Sequence, residues 1–241
     1  MPRLDVLLAR NLGSSRTAAA NLIRAGRVRD AAGATFDDRR AEIAPAALPA
    51  IVTLDDERRL ALHDVFHALL NKPLGVVTAL RDERHPTAYA LLHDAPLAGE
   101  LRAVGRLDLD TSGLLLWTTD GQWVQRLTHP KRQVPRTYQA ALARPFRAPP
   151  VGFELDDGHR PTIRALDVID RGAAHPSLAV AAETAVLAEI TVVGGAYHEV
   201  RRIFAALGSH ALGLCRVAFG RLALPADLAP GAYAAVNLTE V

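Results

Sequence analysis

Gly105-Arg106-Leu107-Asp108-Leu109-Asp110-Thr111-Ser112-Gly113-Leu114-Leu115-Leu116 is the stretch that decides the fold of the catalytic part of this chain. It puts two acids on a glycine-bounded loop and follows them with a continuous apolar run, Leu114-Leu115-Leu116-Trp117. Such a run suits a strand buried on both faces. Loops anchored by a rigid strand are where reactive groups are displayed. Asp110, Thr111 and Ser112 also suit a capping or Asx-type turn. By spacing alone, a structural turn acid is the commoner reading of Asp108.

On both sides of this stretch, strands and helices mix. Phe66–Leu70, Tyr138–Leu142 and Leu187–Val193 read as further strands. Val200, Ile203, Phe204 and Leu207 lie at i, i+3, i+4, i+7 with Gly208 behind them, which predicts an amphipathic helix with a C-terminal stop. Nearer the N-terminus, Leu4, Leu7 and Leu8 begin one short helix ended by Gly13. Ser14 or Ser15 caps a second, with Ala18, Leu22 and Ile23 on its apolar face and Gly26 at its end. A turn is expected around Asp30–Gly33, a last strand of this first domain at Ile51–Leu54, and a linker near 56–64. The fold class is α+β: residues 1–55 form a small first domain and residues 66–241 a larger one.

The chain has 241 residues, 49% hydrophobic and 22% charged, which is an ordinary globular composition. No stretch approaches 18 consecutive apolar residues, so no membrane partner is expected. The opening Met1-Pro2-Arg3-Leu4-Asp5 lacks the pattern of a secretory leader, and a cytoplasmic protein is expected. A single cysteine, Cys215, excludes an internal disulfide and a cysteine zinc site. Net charge is only +2, but it is unevenly spread. Residues 1–50 carry eight Arg against five acids, and residues 121–153 hold six cations (Arg126, Lys131, Arg132, Arg136, Arg144, Arg147) and no acid. One such run is commonly a solvated face; two in a nearly neutral chain suggest a polyanion footprint.

Two resemblances sharpen these readings. Pro2-Arg3-Leu4-Asp5-Val6-Leu7-Leu8, Ser14-Ser15-Arg16 and Leu22-Ile23-Arg24-Ala25-Gly26-Arg27-Val28 resemble the S4 RNA-binding domain, departing from it at Arg29–Ala34, where a compact turn is usual. The resemblance implies RNA contacts from Arg16, Arg24 and Arg27. The Gly105–Leu116 stretch resembles the hallmark motif of the pseudouridine synthases, in which the acid of the Arg-Leu-Asp triplet is the nucleophile; this implies Asp108, with Asp110 structural. Asn71-Lys72-Pro73-Leu74-Gly75 resembles the family's first motif. Arg136-Thr137-Tyr138 resembles the one that supplies an active-site tyrosine, implying Tyr138. Tyr197-His198-Glu199-Val200-Arg201-Arg202-Ile203-Phe204 resembles the third motif, whose basic residue pairs with the nucleophile, implying Arg201. Glu199 stands where Gln is common, and His198 is left as structural or RNA-contacting. Asp120-Gly121-Gln122-Trp123, Leu214-Cys215-Arg216-Val217 and Ala226–Tyr233 resemble the RsuA type within that family.

The resemblance implies a catalytic domain built on a mostly antiparallel mixed sheet with flanking helices. It implies an isomerase that acts on one uridine of 16S ribosomal RNA, free or in a partly assembled small-subunit particle. It further implies a monomer with no cofactor and no metal. Lys72, Arg106 and Arg202 are expected to touch RNA. The chemistry needs an ionised carboxylate beside the ribose. Cleaving the N-glycosidic bond builds positive character at C1′, which a carboxylate stabilises or attacks; attack at uracil C6 and deprotonation at C2′ are the alternatives. A guanidinium on that carboxylate keeps it charged in an enclosed pocket. Tyr138 offers an aromatic face and a hydroxyl that could relay a proton. Large-subunit (23S) synthases share these motifs. Two rivals stand beside this reading: a non-catalytic RNA-binding or assembly factor on the same fold, and a two-carboxylate glycosidase, which the basic run and the S4-like segment disfavour.

Overall fold

The computed structural model describes residues 1–55 and 57–240. It divides into two compact units: Met1–Phe66 with Asp94–Leu101, and His67–His93 with Arg102–Val241. None of the helices is long and apolar enough to cross a membrane among the described residues.

In the first unit, α1 (Leu4–Leu12) ends where Gly13 turns left-handed at φ 61°, a conformation that glycine adopts without strain. The Ser15 hydroxyl then accepts from the Ala18 N–H and starts α2 (Arg16–Arg24). Leu4, Leu7, Leu8 and Ile23 are fully buried and pack on Val28, Val52 and Leu62 of a small sheet. That sheet is β1 (Val28–Arg29), β2 (Ala50–Leu54) and β3 (Arg58–Leu62), all antiparallel. The expected linker near 56–64 is therefore largely a strand; Asp56 itself lies outside the described residues. The charged run Arg58-Arg59 hid it, because those side chains face solvent while Leu62 turns into the core. The first unit accordingly runs past residue 55. The turn at Asp30 is held by its own carboxylate, which accepts from the N–H groups of Ala32 and Ala34.

The second unit is built on one nine-stranded sheet. In chain order its elements are β4 (His67–Lys72), β5 (Arg102–Val104), β6 (Thr111–Thr118), α3 (Gly121–Thr128), β7 (Pro135–Leu142), β8 (Thr162–Ile169), β9 (Val186–Val193), α4 (Glu199–Ala206), β10 (Ala211–Phe219), β11 (Leu222–Ala223) and β12 (Tyr233–Ala235). The strands run β12-β4-β6-β10-β7-β9-β8, with β5 on β6 and β11 on β10. Among the described strands of this sheet, β6 and β10 are the pair that runs parallel. Every residue of β6 is buried, as its uninterrupted apolar run requires. At Gly113 in β6 nothing larger fits. Its φ is 102°, and a Cβ there would overlap the carbonyl oxygen of Arg216 on β10. The fold is thus α+β, with a mostly antiparallel mixed sheet and few helices.

Candidate active site

The loop that enters β6 is clamped from both sides of Asp108. The Thr78 hydroxyl accepts the Leu107 N–H at 3.1 Å and donates to the Leu107 carbonyl at 2.9 Å. The Gly75 N–H donates to the Leu109 carbonyl at 2.9 Å. Asp108 closes the turn itself, its carbonyl accepting from the Thr111 N–H. The segment after β4 is the brace that fixes the acid's backbone. The Asp108 side chain stays 37% exposed and opens on a cleft of about 880 Å³ that Tyr138, Arg201, Arg106, His198 and Arg136 also line.

Arg201 reaches this cleft but does not hold Asp108. Its guanidinium donates to the carbonyls of Ala211 and Asp110, each at 3.0 Å, and pairs with the Asp110 carboxylate at 3.0 Å. The expected Arg201–Asp108 pair is thus replaced by Arg201–Asp110. Two acids a turn apart compete for one cation, and here the outer one takes it. The group beside Asp108 is His198, with Nε2 3.5 Å from Oδ1. His198 sits at φ 50°, a strained left-handed conformation for a residue with a Cβ, at the N-terminus of α4.

Lys72 also departs from expectation. It is 0% exposed, so it cannot touch a phosphate. Its ammonium donates to the carbonyls of Pro73 and Thr111, each at 2.9 Å. Burial pushes its pKa down to about 8, while the nearby charges of Asp108 and Asp110 oppose the drop. A buried cation is expensive unless anions face it, and here the two loop acids do.

The cleft floor comes from β7 and β10. Tyr138 lies opposite Arg216. Arg216 is buried; its Nε donates to the Leu114 carbonyl at 2.7 Å, and its Nη2 is buried with no hydrogen-bond partner among the described residues. Arg136 and Arg216 both stack on Phe219, at 5.1 and 5.3 Å from the ring centre. Burial and the Arg216 charge lower the Arg136 pKa against the pull of Tyr138 and Glu199. Glu199 is buried under the cleft wall and held by the ring of His159, Nε2 to Oε1 at 2.7 Å. The remaining expected RNA contacts are partly engaged. Arg202 pairs with Asp156 and Asp157, at 2.7 and 2.6 Å. In the first unit Arg27 pairs with Asp55, Arg16 with the buried Asp5, and Arg24 bonds Asn21. Nothing in the sequence singled out Thr78 or His159, because their role depends on contacts across 29 and 40 residues.

Residues 67–206, which hold the whole cleft apart from β10, match the family model described as RNA pseudouridylate synthase. The chain belongs to the RNA pseudouridylate synthase family. It is 35% identical to the ribosomal small subunit pseudouridine synthase A of Escherichia coli strain K12, over 99% of this chain and 98% of that protein. It is 36% identical to the protein of the same name from Vibrio cholerae, over 99% and 97%. A crystal structure of a pseudouridylate synthase superposes with TM-score 0.60 at 32% identity, covering 100% of this chain and 98% of the other. This synthase is therefore an RNA-modifying isomerase, and the cleft at Asp108 is the place on it that offers an open carboxylate, an aromatic ring and a basic floor together.

Proposed function

We propose that this synthase converts one uridine of 16S ribosomal RNA to pseudouridine, with Asp108 as the nucleophile. The observation that carries this reading is the Asp108 carboxylate: partly open to the cleft, on a loop whose backbone is clamped at Leu107 and Leu109. The choice of RNA is supported by 35% identity across nearly the full length to proteins named for the ribosomal small subunit.

The target base leaves its stack at a cost of a few kcal/mol and enters the cleft. The N1–C1′ bond breaks, the uracil turns, a C5–C1′ bond forms, and the proton from C5 is lost while N1 gains one. The reaction is an isomerisation and needs no outside reagent. Asp108 stabilises or captures the C1′ cation, and it must be ionised to do so. His198 stands beside it, Nε2 3.5 Å from Oδ1; Arg201 fixes the outer half of the turn through Asp110. Tyr138 supplies the ring against which the uracil lies, and Arg106 at the cleft edge meets the backbone phosphates. The first unit is an S4-like domain that adds phosphate contacts through Arg24 and, when freed from their carboxylates, Arg16 and Arg27. The enzyme works in the cytoplasm as a monomer, on free RNA or a partly assembled small-subunit particle.

Purified wild type and Asp108→Asn, incubated separately with unmodified 16S and 23S ribosomal RNA and mapped for pseudouridine, test the reading. One modified site with wild type and none with the variant is expected. Modification by Asp108→Asn at the wild-type rate would refute it, and modification of 23S RNA alone would reassign the substrate.

A further inference from the structure

Tyr197 is 76% exposed, yet it lines the active-site cleft. One face of its ring is already used. It lies on the ring of His198, with centroids 3.8 Å apart and planes 17° apart. The edge of that same His198 ring points Nε2 at the Asp108 carboxylate, 3.5 Å away. The outer face of Tyr197, the two rings and the carboxylate thus form one continuous series.

Single exposed aromatics are common and need no explanation. This one differs in three respects. It is pre-stacked, so its orientation is fixed before any ligand arrives. Its stacking partner stands in a left-handed backbone conformation at φ 50°, which a residue with a side chain seldom adopts. The stack also ends on the acid assigned as nucleophile. Flipping a uridine out of a strand leaves its neighbours without a stacking partner on one side. Single-stranded RNA is held mainly by stacking splayed bases on aromatic side chains.

We propose that the Tyr197–His198 stack is a second base-binding subsite: the open face of Tyr197 receives the base next to the target uridine while the uridine itself sits at Asp108. This rests on the reaction proposed above. The occupant is a nucleobase rather than a phosphate, because the subsite is an aromatic face and Tyr197 carries no charge. His198 joins the two subsites, so that seating the neighbouring base fixes the ring that faces the carboxylate.

The test is a binding cycle with a nine-nucleotide RNA, a central pseudouridine between four adenosines on each side. Carrying the product base, the probe is unchanged by turnover. It is made intact and with the base deleted at either position flanking the pseudouridine, and affinities are read by fluorescence anisotropy. For wild type, deleting one of the two flanking bases is expected to weaken binding by about tenfold, the worth of one stacked base. Tyr197→Ala should lose about the same on the intact probe and be indifferent to that deletion; Tyr197→Phe should behave as wild type. The ring is exposed, so both variants should unfold at the wild-type midpoint, which separates lost stacking from lost fold. The proposal is overturned if Tyr197→Ala binds the intact probe as wild type does, or keeps the full deletion penalty, or if wild type ignores both deletions. Failure of the underlying reaction shows separately, as a wild type that forms no pseudouridine in ribosomal RNA.

Discussion

Replacing Lys72 with methionine removes a buried charge without emptying the space it fills. Burial brings this lysine from its ordinary 10.5 to about 8. At about 1.4 kcal/mol per pH unit, holding it charged in the fold costs about 3 kcal/mol. Below pH 8 both folded and unfolded chains carry the proton, and the whole cost is present. Between about 8 and 10.5 the folded protein releases a proton that the unfolded chain keeps, so the cost fades and stability rises with pH. Methionine has no such cost. It does leave the carbonyls of Pro73 and Thr111 without their donor, at about 1 kcal/mol each. At pH 7 the variant should therefore be as stable as wild type or up to about 1 kcal/mol better, and it should lose ground by about 2 kcal/mol between pH 6.5 and 9.5. Urea unfolding of both proteins across that range isolates the difference from all other titrations. Wild-type and variant stabilities that stay parallel across this range would refute the assignment of a buried, charge-bearing lysine.

Gly113→Ala should not give a folded enzyme, or should lose at least about 3 kcal/mol, because the added carbon meets the Arg216 backbone in a strand with no room to shift; thermal unfolding of the soluble fraction checks this. His159→Ala should cost about 1–3 kcal/mol by leaving the buried Glu199 carboxylate without its donor, read by urea unfolding at pH 7. In the first unit, the Arg16 and Arg3 guanidiniums outweigh burial and hold Asp5 below the usual carboxylate range. Its contribution is present above the ordinary value and lost as pH falls through the lowered one, so Asp5→Asn should flatten the acid loss of stability. Arg24→Ala should reduce the slope of log affinity against log salt by about one for folded ribosomal RNA without changing which uridine is modified.

Much of this architecture is legible in the residues. The apolar run Leu114–Trp117 announces a doubly buried strand, the spacing Val200-Ile203-Phe204-Leu207 a helix, and Gly13 and Ser15 the end of one helix and the start of the next. What escaped reading depends on distance rather than type. Arg58-Arg59 looks like linker because a strand with one solvated face can carry charge. Lys72 looks like a phosphate contact because lysines are seldom buried, and only the fold shows two carbonyls and two acids around it. Arg201 was given to Asp108, but Asp108 and Asp110 differ by two residues on a turn whose backbone is held from across the fold by Thr78 and Gly75, and the fold brings Asp110 to Arg201.

The parallel pairing of β6 with β10 has a consequence for the order in which the enzyme comes alive. Thr111, at the foot of the Asp108 loop, sits beside Leu214, more than a hundred residues later. Contacts of such separation close late, since a long stretch of chain must be ordered before they are rewarded. A nascent polypeptide emerging from the ribosome therefore carries Asp108 long before it carries the strand that pairs beside the foot of its loop.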